Sequence, residues 1–185
     1  AYDDIKITDW FYDAANYAVK NGIINGTSDS TFEPNTVTTR AMLVTILWRI
    51  EGQAAPTLAE SPFTDVTDKD AWYYDAVLWA YENGIVNGLG DGEFGASGTL
   101  SRQQMVTILY RFNQVFGGGD TALASSMVTD QFSDWNDVSS WASDAFQWAI
   151  IHNILSGTSD TTLDPDGNAS RGQLAAIIMR YQDSD

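Results

Sequence analysis

The sequence predicts an all-α protein made of three helix-loop-helix repeats, and three observations support this. Trp, Arg, Asp and Gly residues recur at the same two spacings along the 185-residue chain, 62 residues and then 69. The segment Met42–Arg49 returns as Gln104–Arg111 and, more loosely, as Gln173–Arg180. Each repeat also contains two segments whose apolar residues follow helical spacing. We therefore expect three copies of one unit, none of which buries its apolar face alone.

Two segments of linker composition separate the copies. Residues 52–61 are small, polar and contain a proline, and residues 117–130 begin with three glycines. The longer second linker accounts for the longer second spacing. We predict the repeats at 1–51, 62–116 and 131–185.

The first helix of each repeat is predicted by apolar and small residues at helical spacing. Each helix is expected to end before a residue suited to the left-handed backbone conformation, which is Gly22, Gly84 or Asn153. The predicted spans are about Phe11–Asn21, Tyr73–Asn83 and Ala142–His152.

The second helix of each repeat is predicted to begin after a hydroxyl residue that caps its N-terminus. The capping residues are Thr39, Ser101 and Ser170. Gln104 and Gln173 stand three residues later and complete a capping box, whereas Met42 does not.

A loop joins the two helices of each repeat. It carries an aspartate-containing turn and then one apolar residue, which we expect to pack onto the core. These apolar residues are Phe32, Phe94 and Leu163.

Composition excludes several classes of function. The chain has 25 acidic and 9 basic residues and a net charge of −16, which argues against binding nucleic acid or an anionic membrane surface. No apolar run approaches the roughly 20 residues that a spanning helix needs. The absence of cysteine excludes disulfides and thiolate catalysis.

Short motifs recur in register in all three repeats. Each repeat opens with an aromatic residue two positions before an aspartate, which is Asp4, Asp65 or Asp134. A Gly-Ile or Asn-Ile pair follows the first helix, and the second helix begins with TRAM, SRQQ or SRGQ. With these motifs over nearly its whole length, the sequence resembles three tandem S-layer homology domains.

The resemblance implies a pseudo-three-fold spindle with a central helical bundle and grooves between neighbouring repeats. It implies non-covalent anchoring of a surface protein to a secondary cell wall polysaccharide, outside a bacterial cell, through a pyruvylated amino sugar. It also implies that the arginine at the start of each second helix contacts the ligand. We call these residues the leading arginines: Arg40, Arg102 and Arg171. The sequence departs from the family where a glutamate is replaced by Met42, Gln104 or Gln173.

The chemistry of the leading arginines supports an anion site. They lie in the first helical turn, where unpaired backbone N–H groups and the helix dipole favour a carboxylate. The alternative is a structural ion pair with a carboxylate such as Asp13, Asp75 or Asp144. We expect the surface around each leading arginine to be less acidic than the rest.

A second set of arginines lies nine residues further along each of these helices. We call them the trailing arginines: Arg49, Arg111 and Arg180. Because nine residues turn the helix by about 180°, we expect them away from the leading set, at the solvent or in ion pairs between repeats.

The remaining ligand-binding candidates are aromatic residues and glycines. The opening tryptophans, Trp10, Trp72 and Trp141, either line a groove and stack on sugar faces or pack in the core. Core packing is favoured for Tyr17, Trp79 and Trp148. The loop glycines assigned to the site are Gly26, Gly88 and Gly157.

We expect no enzyme activity, no metal site and no cofactor. His152, the single histidine, aligns with Asn21 and Asn83 at the end of a first helix, so we interpret it as a helix-end residue and not as part of a Ser–His–Asp constellation. The densest acidic group, Asp160, Asp164 and Asp166, lacks the ligand spacing of an EF-hand loop. The expected partner is the wall polysaccharide. The alternative hypothesis is a self-assembly module that contacts other surface-layer proteins.

Overall fold

Helices account for the regular structure of the described part of the chain. The computed structural model describes residues 2–118, 121–123 and 126–183. Within these ranges the structure contains isolated β-bridges but no strand, and one 3₁₀ turn at Trp135–Asp137. The helices are α1 (Tyr12–Lys20), α2 (Arg40–Ile50), α3 (Tyr74–Glu82), α4 (Arg102–Phe116), α5 (Ser126–Thr129), α6 (Ser143–Ile151) and α7 (Arg171–Asp183). The all-α prediction is confirmed, although α5 was not foreseen.

The predicted ends of the first helices are confirmed. The backbone turns left-handed just after each of them, with φ of 66° at Gly22, 70° at Gly84 and 56° at Asn153. Glycine takes this conformation at no steric cost, and asparagine is the next most tolerant residue.

The hydroxyl caps of the second helices are also confirmed. The Thr39 hydroxyl accepts a hydrogen bond from the Met42 amide at 3.2 Å, with no reciprocal bond. In the other two repeats the bonds run both ways, between Ser101 and Gln104 and between Ser170 and Gln173. Each second helix therefore starts where its sequence predicts.

The repeats exchange contacts around a ring. The first helix of each repeat packs against the second helix of the preceding repeat, which pairs α3 with α2, α6 with α4 and α1 with α7. The α1–α7 contact joins the first repeat to the last, so the three repeats form a closed pseudo-three-fold spindle. The second helices lie at its centre, where Phe112 of α4 packs against Tyr181 of α7.

Three backbone hydrogen bonds close the ring at one end of the central bundle. The Thr38 amide donates to the Ala169 carbonyl at 2.8 Å, the Ala169 amide to Leu100 at 2.8 Å, and the Leu100 amide to Thr38 at 2.9 Å. We call this arrangement the apex triangle. All three residues are fully buried, so each bond is shielded from water.

The loops are fastened to the core as predicted. Phe32, Phe94 and Leu163 have no solvent-exposed surface. Trp79 and Trp148 are also buried, as expected, whereas Tyr17 is only half-buried and its hydroxyl donates to Gln182. None of the helices in the described ranges combines the length and the apolar character that crossing a membrane requires.

Candidate functional site

Three grooves run between the repeats, and each takes its residues from all three repeats. The second helix and the loop of one repeat form the floor, the preceding repeat supplies a leading arginine, and the following repeat supplies an opening tryptophan. We number the grooves by the repeat that forms the floor. Their volumes are about 170, 280 and 340 Å³ for grooves I, II and III. The defining residues are Arg171, Arg49 and Trp72 in groove I, Arg40, Arg111 and Trp141 in groove II, and Arg102, Arg180 and Trp10 in groove III.

Each leading arginine is held by the loop of the next repeat around the ring. Its Nε donates to the backbone carbonyl of the buried loop residue, over 2.8 Å from Arg40 to Phe94, 2.7 Å from Arg102 to Leu163 and 2.7 Å from Arg171 to Phe32. A terminal nitrogen of Arg102 also donates to the Ser156 carbonyl, and that of Arg171 to the Asn25 carbonyl. The guanidinium groups are therefore fixed in position and keep further N–H donors.

Burial and a neighbouring cation both act on the charge of Arg40. Burial lowers the pKa of its guanidinium, the nearby Arg111 lowers it further, and Asp65 partly offsets these effects. Burial likewise lowers the pKa of Arg102 and of Arg171. Because an arginine side chain is not deprotonated in proteins, these groups remain cationic near neutral pH.

The opening aspartates hold the same loops from the other side. Asp4 accepts from the backbone amides of Phe32 and Glu33, at 2.6–3.1 Å. Asp65 and Asp134 accept in the same way from residues 94–95 and 163–164. Burial works to raise the pKa of Asp4 and Asp65, but these amide bonds outweigh it and hold both below their ordinary value. In each repeat an aspartate thus holds the loop in place, and a carbonyl of that loop in turn accepts the hydrogen bond from a leading arginine.

The predicted backbone contribution to anion binding is wrong. The first amides of the second helices do not face the grooves, because loop carbonyls of the next repeat accept from them. The Arg102 amide donates to Gly167 and the Gln103 amide to Pro165, both at 2.9 Å. The Arg171 amide donates in the same way to Thr36. The guanidinium groups, and not the helix N-termini, supply the donors at the groove.

The alternative of an ion pair at the leading arginines is also wrong. Across residues 2–118, 121–123 and 126–183, no leading arginine lies within ion-pair distance of a carboxylate, and the ion pair present joins exposed Lys69 and Glu60 at 2.9 Å. Asp13, Asp75 and Asp144 lie in the first turns of α1, α3 and α6 and line none of the grooves.

The trailing arginines lie in the grooves, contrary to prediction. Within one helix the two arginines line different grooves, but each trailing arginine lines the same groove as the leading arginine of the preceding repeat. Arg49 donates to the Ile23 carbonyl at 3.2 Å, and Arg180 to the Ser156 hydroxyl at 3.3 Å. Each groove therefore contains two guanidinium groups.

The opening tryptophans are exposed, so their interpretation as core residues is wrong. The exposed fractions are 65% for Trp10, 57% for Trp72 and 52% for Trp141. Phe11 and Tyr73 support two of the rings edge to face, with centroids 5.3 and 5.1 Å away. More than half of each tryptophan is therefore accessible to an apolar ligand surface.

The loop glycines permit close packing behind the grooves. A Cβ on Gly26 would collide with the Tyr2 ring, one on Gly88 with the Phe63 ring and one on Gly157 with backbone oxygens of its own loop. Gly88 and Gly157 line grooves II and III, whereas Gly26 is not part of the lining of groove I. Ligand contact by these glycines stays a prediction.

The grooves are cationic in a strongly acidic chain. Each is lined by two arginines, and none of the described lining residues is acidic, which agrees with the expectation of a less acidic surface there. Groove I differs because Met42 replaces the glutamine of the other two grooves. The hydroxyl of Thr45, also in groove I, is buried and has no hydrogen-bond partner.

Histidine and acidic residues do not assemble elsewhere into a metal site. Among the described residues, no three His, Asp or Glu side chains cluster closely enough to hold a metal ion. His152 follows the end of α6, packs against Trp148 and lines none of the grooves.

Comparison with known proteins identifies similar sequences in bacterial proteins. A family model described as the S-layer homology domain matches residues 1–41, 62–106 and 131–175. The chain is 30% identical over 177 residues to an endoglucanase of Bacillus sp. (strain KSM-635), covering 96% of this chain and 18% of that protein.

Two further relatives are named for a surface layer and for anchoring of the cellulosome. The chain is 29% identical to the surface-layer 125 kDa protein of Lysinibacillus sphaericus, over 95% of this chain and 14% of that protein. It is 23% identical to the cellulosome-anchoring protein of Acetivibrio thermocellus, over 85% of this chain and 34% of that protein. The chain thus spans less than a fifth of the length of the first two relatives.

Proposed function

This chain belongs to the S-layer homology domain family, and from that membership we propose that its three grooves anchor it to an anionic polysaccharide of the bacterial cell wall. The family and its relatives support cell-wall anchoring at the bacterial surface as the general role. The segment is accordingly an extracellular one. The finer proposal is that the bound group is a sugar with a pyruvyl ketal carboxylate.

The observation that carries the proposal is the composition of the grooves. All six arginines of the chain line them, in a protein with a net charge of −16. A guanidinium matches a carboxylate in shape and charge, and binds it through two parallel N–H donors. An exposed indole at the rim of each groove suits the apolar face of a sugar ring. Several such sites on one polymer would strengthen attachment without any new contact.

We propose further that the segment itself is not catalytic. Most glycoside hydrolases use a pair of carboxyl groups on either side of the scissile bond. No carboxylate is among the described residues that line the three grooves. The catalytic activity named for the endoglucanase is that protein's own, of which this chain matches 18%.

The trailing arginines provide the sharpest test. We would titrate wall polysaccharide into the wild type, into the triple variant Arg49→Ala, Arg111→Ala, Arg180→Ala, and into a matched control with Lys6→Ala, Lys20→Ala, Lys69→Ala. Both triple variants lose three positive charges, but the lysines are exposed and lie outside the grooves. The arginine variant should lose at least tenfold in affinity, since a hydrogen bond to a charged group is worth about 1.5–3 kcal/mol, whereas the lysine variant should bind like the wild type.

Mild acid removal of pyruvate from the polysaccharide tests the finer proposal. Loss of wild-type binding after this treatment would support recognition of the ketal carboxylate. Unchanged binding would contradict it and leave the aromatic and polar contacts as the recognition elements. If the intact polymer does not bind the wild type, anchoring through these grooves is refuted and a self-assembly module becomes the leading hypothesis.

A further inference from the structure

A polar pocket continues from groove I along the surface of the first repeat. It shares Arg49 and Ile23 with the groove, and its volume is about 340 Å³. We call it the foot pocket and define it by Tyr17, Asn21, Arg49, Gln53 and Gln182. Its size lies at the lower end of the range for small-molecule sites. A ligand chain leaving groove I past Arg49 would enter this pocket.

The side chains of the foot pocket offer complementary hydrogen-bonding groups. Asn21 donates its amide to the Tyr17 carbonyl at 2.8 Å, which leaves its side-chain oxygen as an acceptor. The oxygen of Gln182 accepts from the Tyr17 hydroxyl at 2.9 Å, which leaves its amide as a donor. The exposed Gln53 can both donate and accept. Such a set matches sugar hydroxyl groups, which also donate and accept.

The charge of the foot pocket favours a neutral or anionic ligand. Arg49 is its single charged lining residue, and no carboxylate is among the described residues that line it. Arg49 is already held by the Ile23 carbonyl at 3.2 Å, so it can bridge the two cavities without being reoriented. Groove I has a second guanidinium, that of Arg171, so an anionic ligand group would bind there and not in the foot pocket.

The foot pocket forms where the three-fold symmetry is broken. Tyr17 occupies the repeat position that Trp79 and Trp148 fill with buried indoles. Tyr17 is only half-buried, and its hydroxyl donates to Gln182, which lies in α7 of another repeat. The contact between α1 and α7 therefore has a polar surface at Tyr17. The equivalent positions in the other two repeats are occupied by the buried rings of Trp79 and Trp148.

We propose that the foot pocket is a second subsite for the neutral sugar adjacent to the anionic sugar held in groove I. This inference rests on the proposed function, since it assigns the next residue of the same polymer. It predicts that groove I recognises an oligosaccharide and not a single sugar.

The test isolates groove I in the variant Arg111→Ala, Arg180→Ala, which removes one arginine from each of the other two grooves. Two probes are titrated by calorimetry: a pyruvylated amino sugar as its methyl glycoside, and a three-sugar fragment of the wall polysaccharide that contains it. Asn21→Ala or Gln53→Ala in this background should lower the affinity for the fragment about three- to tenfold, which corresponds to the loss of one hydrogen bond. Affinity for the single sugar should not change.

Asn83→Ala is the matched control, because Asn83 also donates its side-chain amide, at 2.8 Å, to a carbonyl four residues earlier. It lies outside the grooves and the foot pocket. If Asn21→Ala and Gln53→Ala bind the fragment as tightly as the control variant does, the foot pocket proposal is overturned. The proposal that the grooves anchor the chain is not affected by that result. If the background protein binds neither probe, groove I is not a glycan site and both proposals fail there.

Discussion

The guanidinium of Arg171 lies 4.8 Å above the ring of Phe32, while its Nε donates to the carbonyl of the same residue at 2.7 Å. These two contacts join the last repeat to the first. Arg40 has the same relationship with Phe94, with its guanidinium 5.0 Å from the ring centroid. A leading arginine is therefore a structural element as well as a ligand candidate, and its removal affects both properties.

We expect Arg171→Lys to lower the free energy of unfolding by about 1–3 kcal/mol. Lysine keeps the charge but lacks the planar group that bonds the Phe32 and Asn25 carbonyls at once. Urea unfolding of the variant and of Lys20→Ala measures this, and the exposed lysine change should stay within about 0.5 kcal/mol of the wild type. Equal stability of both variants would show that the arginine contacts contribute nothing.

Asp65 should make stability depend on pH in the acid range. Its pKa is held below the ordinary value of about 3.9, because the amide bonds from Phe94 and Gly95 outweigh the effect of burial. The stabilisation is therefore complete above that value and is lost as the pH falls below about 4 through the folded-state pKa. Asp65→Asn should be less stable at pH 7 and lose less stability on acidification.

Melting temperatures between pH 7 and pH 3 check this expectation. Asp29→Asn, an exposed loop substitution with the same loss of charge, is the control. Parallel curves for wild type and Asp65→Asn would contradict the role assigned to this carboxylate.

The amides of the apex triangle should be among the slowest to exchange with solvent. Thr38, Leu100 and Ala169 each donate to another repeat, so one bond opens only when two repeats separate. We expect similar protection at all three, close to the global free energy of unfolding, and faster exchange at Thr27 and Thr158, whose amides bond to Thr31 and Thr162 within the same exposed loop and open without separating two repeats. Hydrogen exchange followed by NMR measures this. One fast triangle amide would mean that a single repeat opens by itself.

Gly26→Ala should cost about 1–3 kcal/mol of stability through overpacking. The new Cβ would lie 2.7 Å from the Ser28 carbonyl and would collide with the Tyr2 ring. The comparison is Gly22→Ala, where the Cβ meets open space and only the left-handed φ of 66° is unfavourable. Chemical denaturation ranks the two variants, and a smaller loss for Gly26→Ala would refute the steric argument.

Local features of one repeat were predictable because their causes lie within a few residues. The caps at Thr39, Ser101 and Ser170 and the stop at Asn153 depend on neighbours in the chain, and the structure confirms them. The role of the Asp4 carboxylate in holding the loop at Phe32 was not foreseen. The recurrence of an aspartate two residues after an aromatic in each repeat was the available signal.

The assembly of the grooves was not predictable from one helix. A rotation of 180° along α2 does separate Arg40 from Arg49, but the ring places each beside an arginine of another repeat. One helix does not show that its N-terminal amides are occupied either, because their acceptors, such as Gly167 and Thr36, belong to a neighbouring repeat. The exposure of Trp10, Trp72 and Trp141 was not predictable because the residue type alone does not distinguish a buried indole from an exposed one at the rim of a groove.

The contact between α1 and α7 fixes how many repeats this architecture can hold. In an open solenoid the end repeats expose a free face, so one more copy can stack there without disturbing the others. Here the first repeat occupies the face that a fourth would need, and the apex triangle has no unpaired amide to offer it. A protein that requires more attachment points must therefore acquire a second complete ring, and a chain that loses one copy loses the closure that supports the other two.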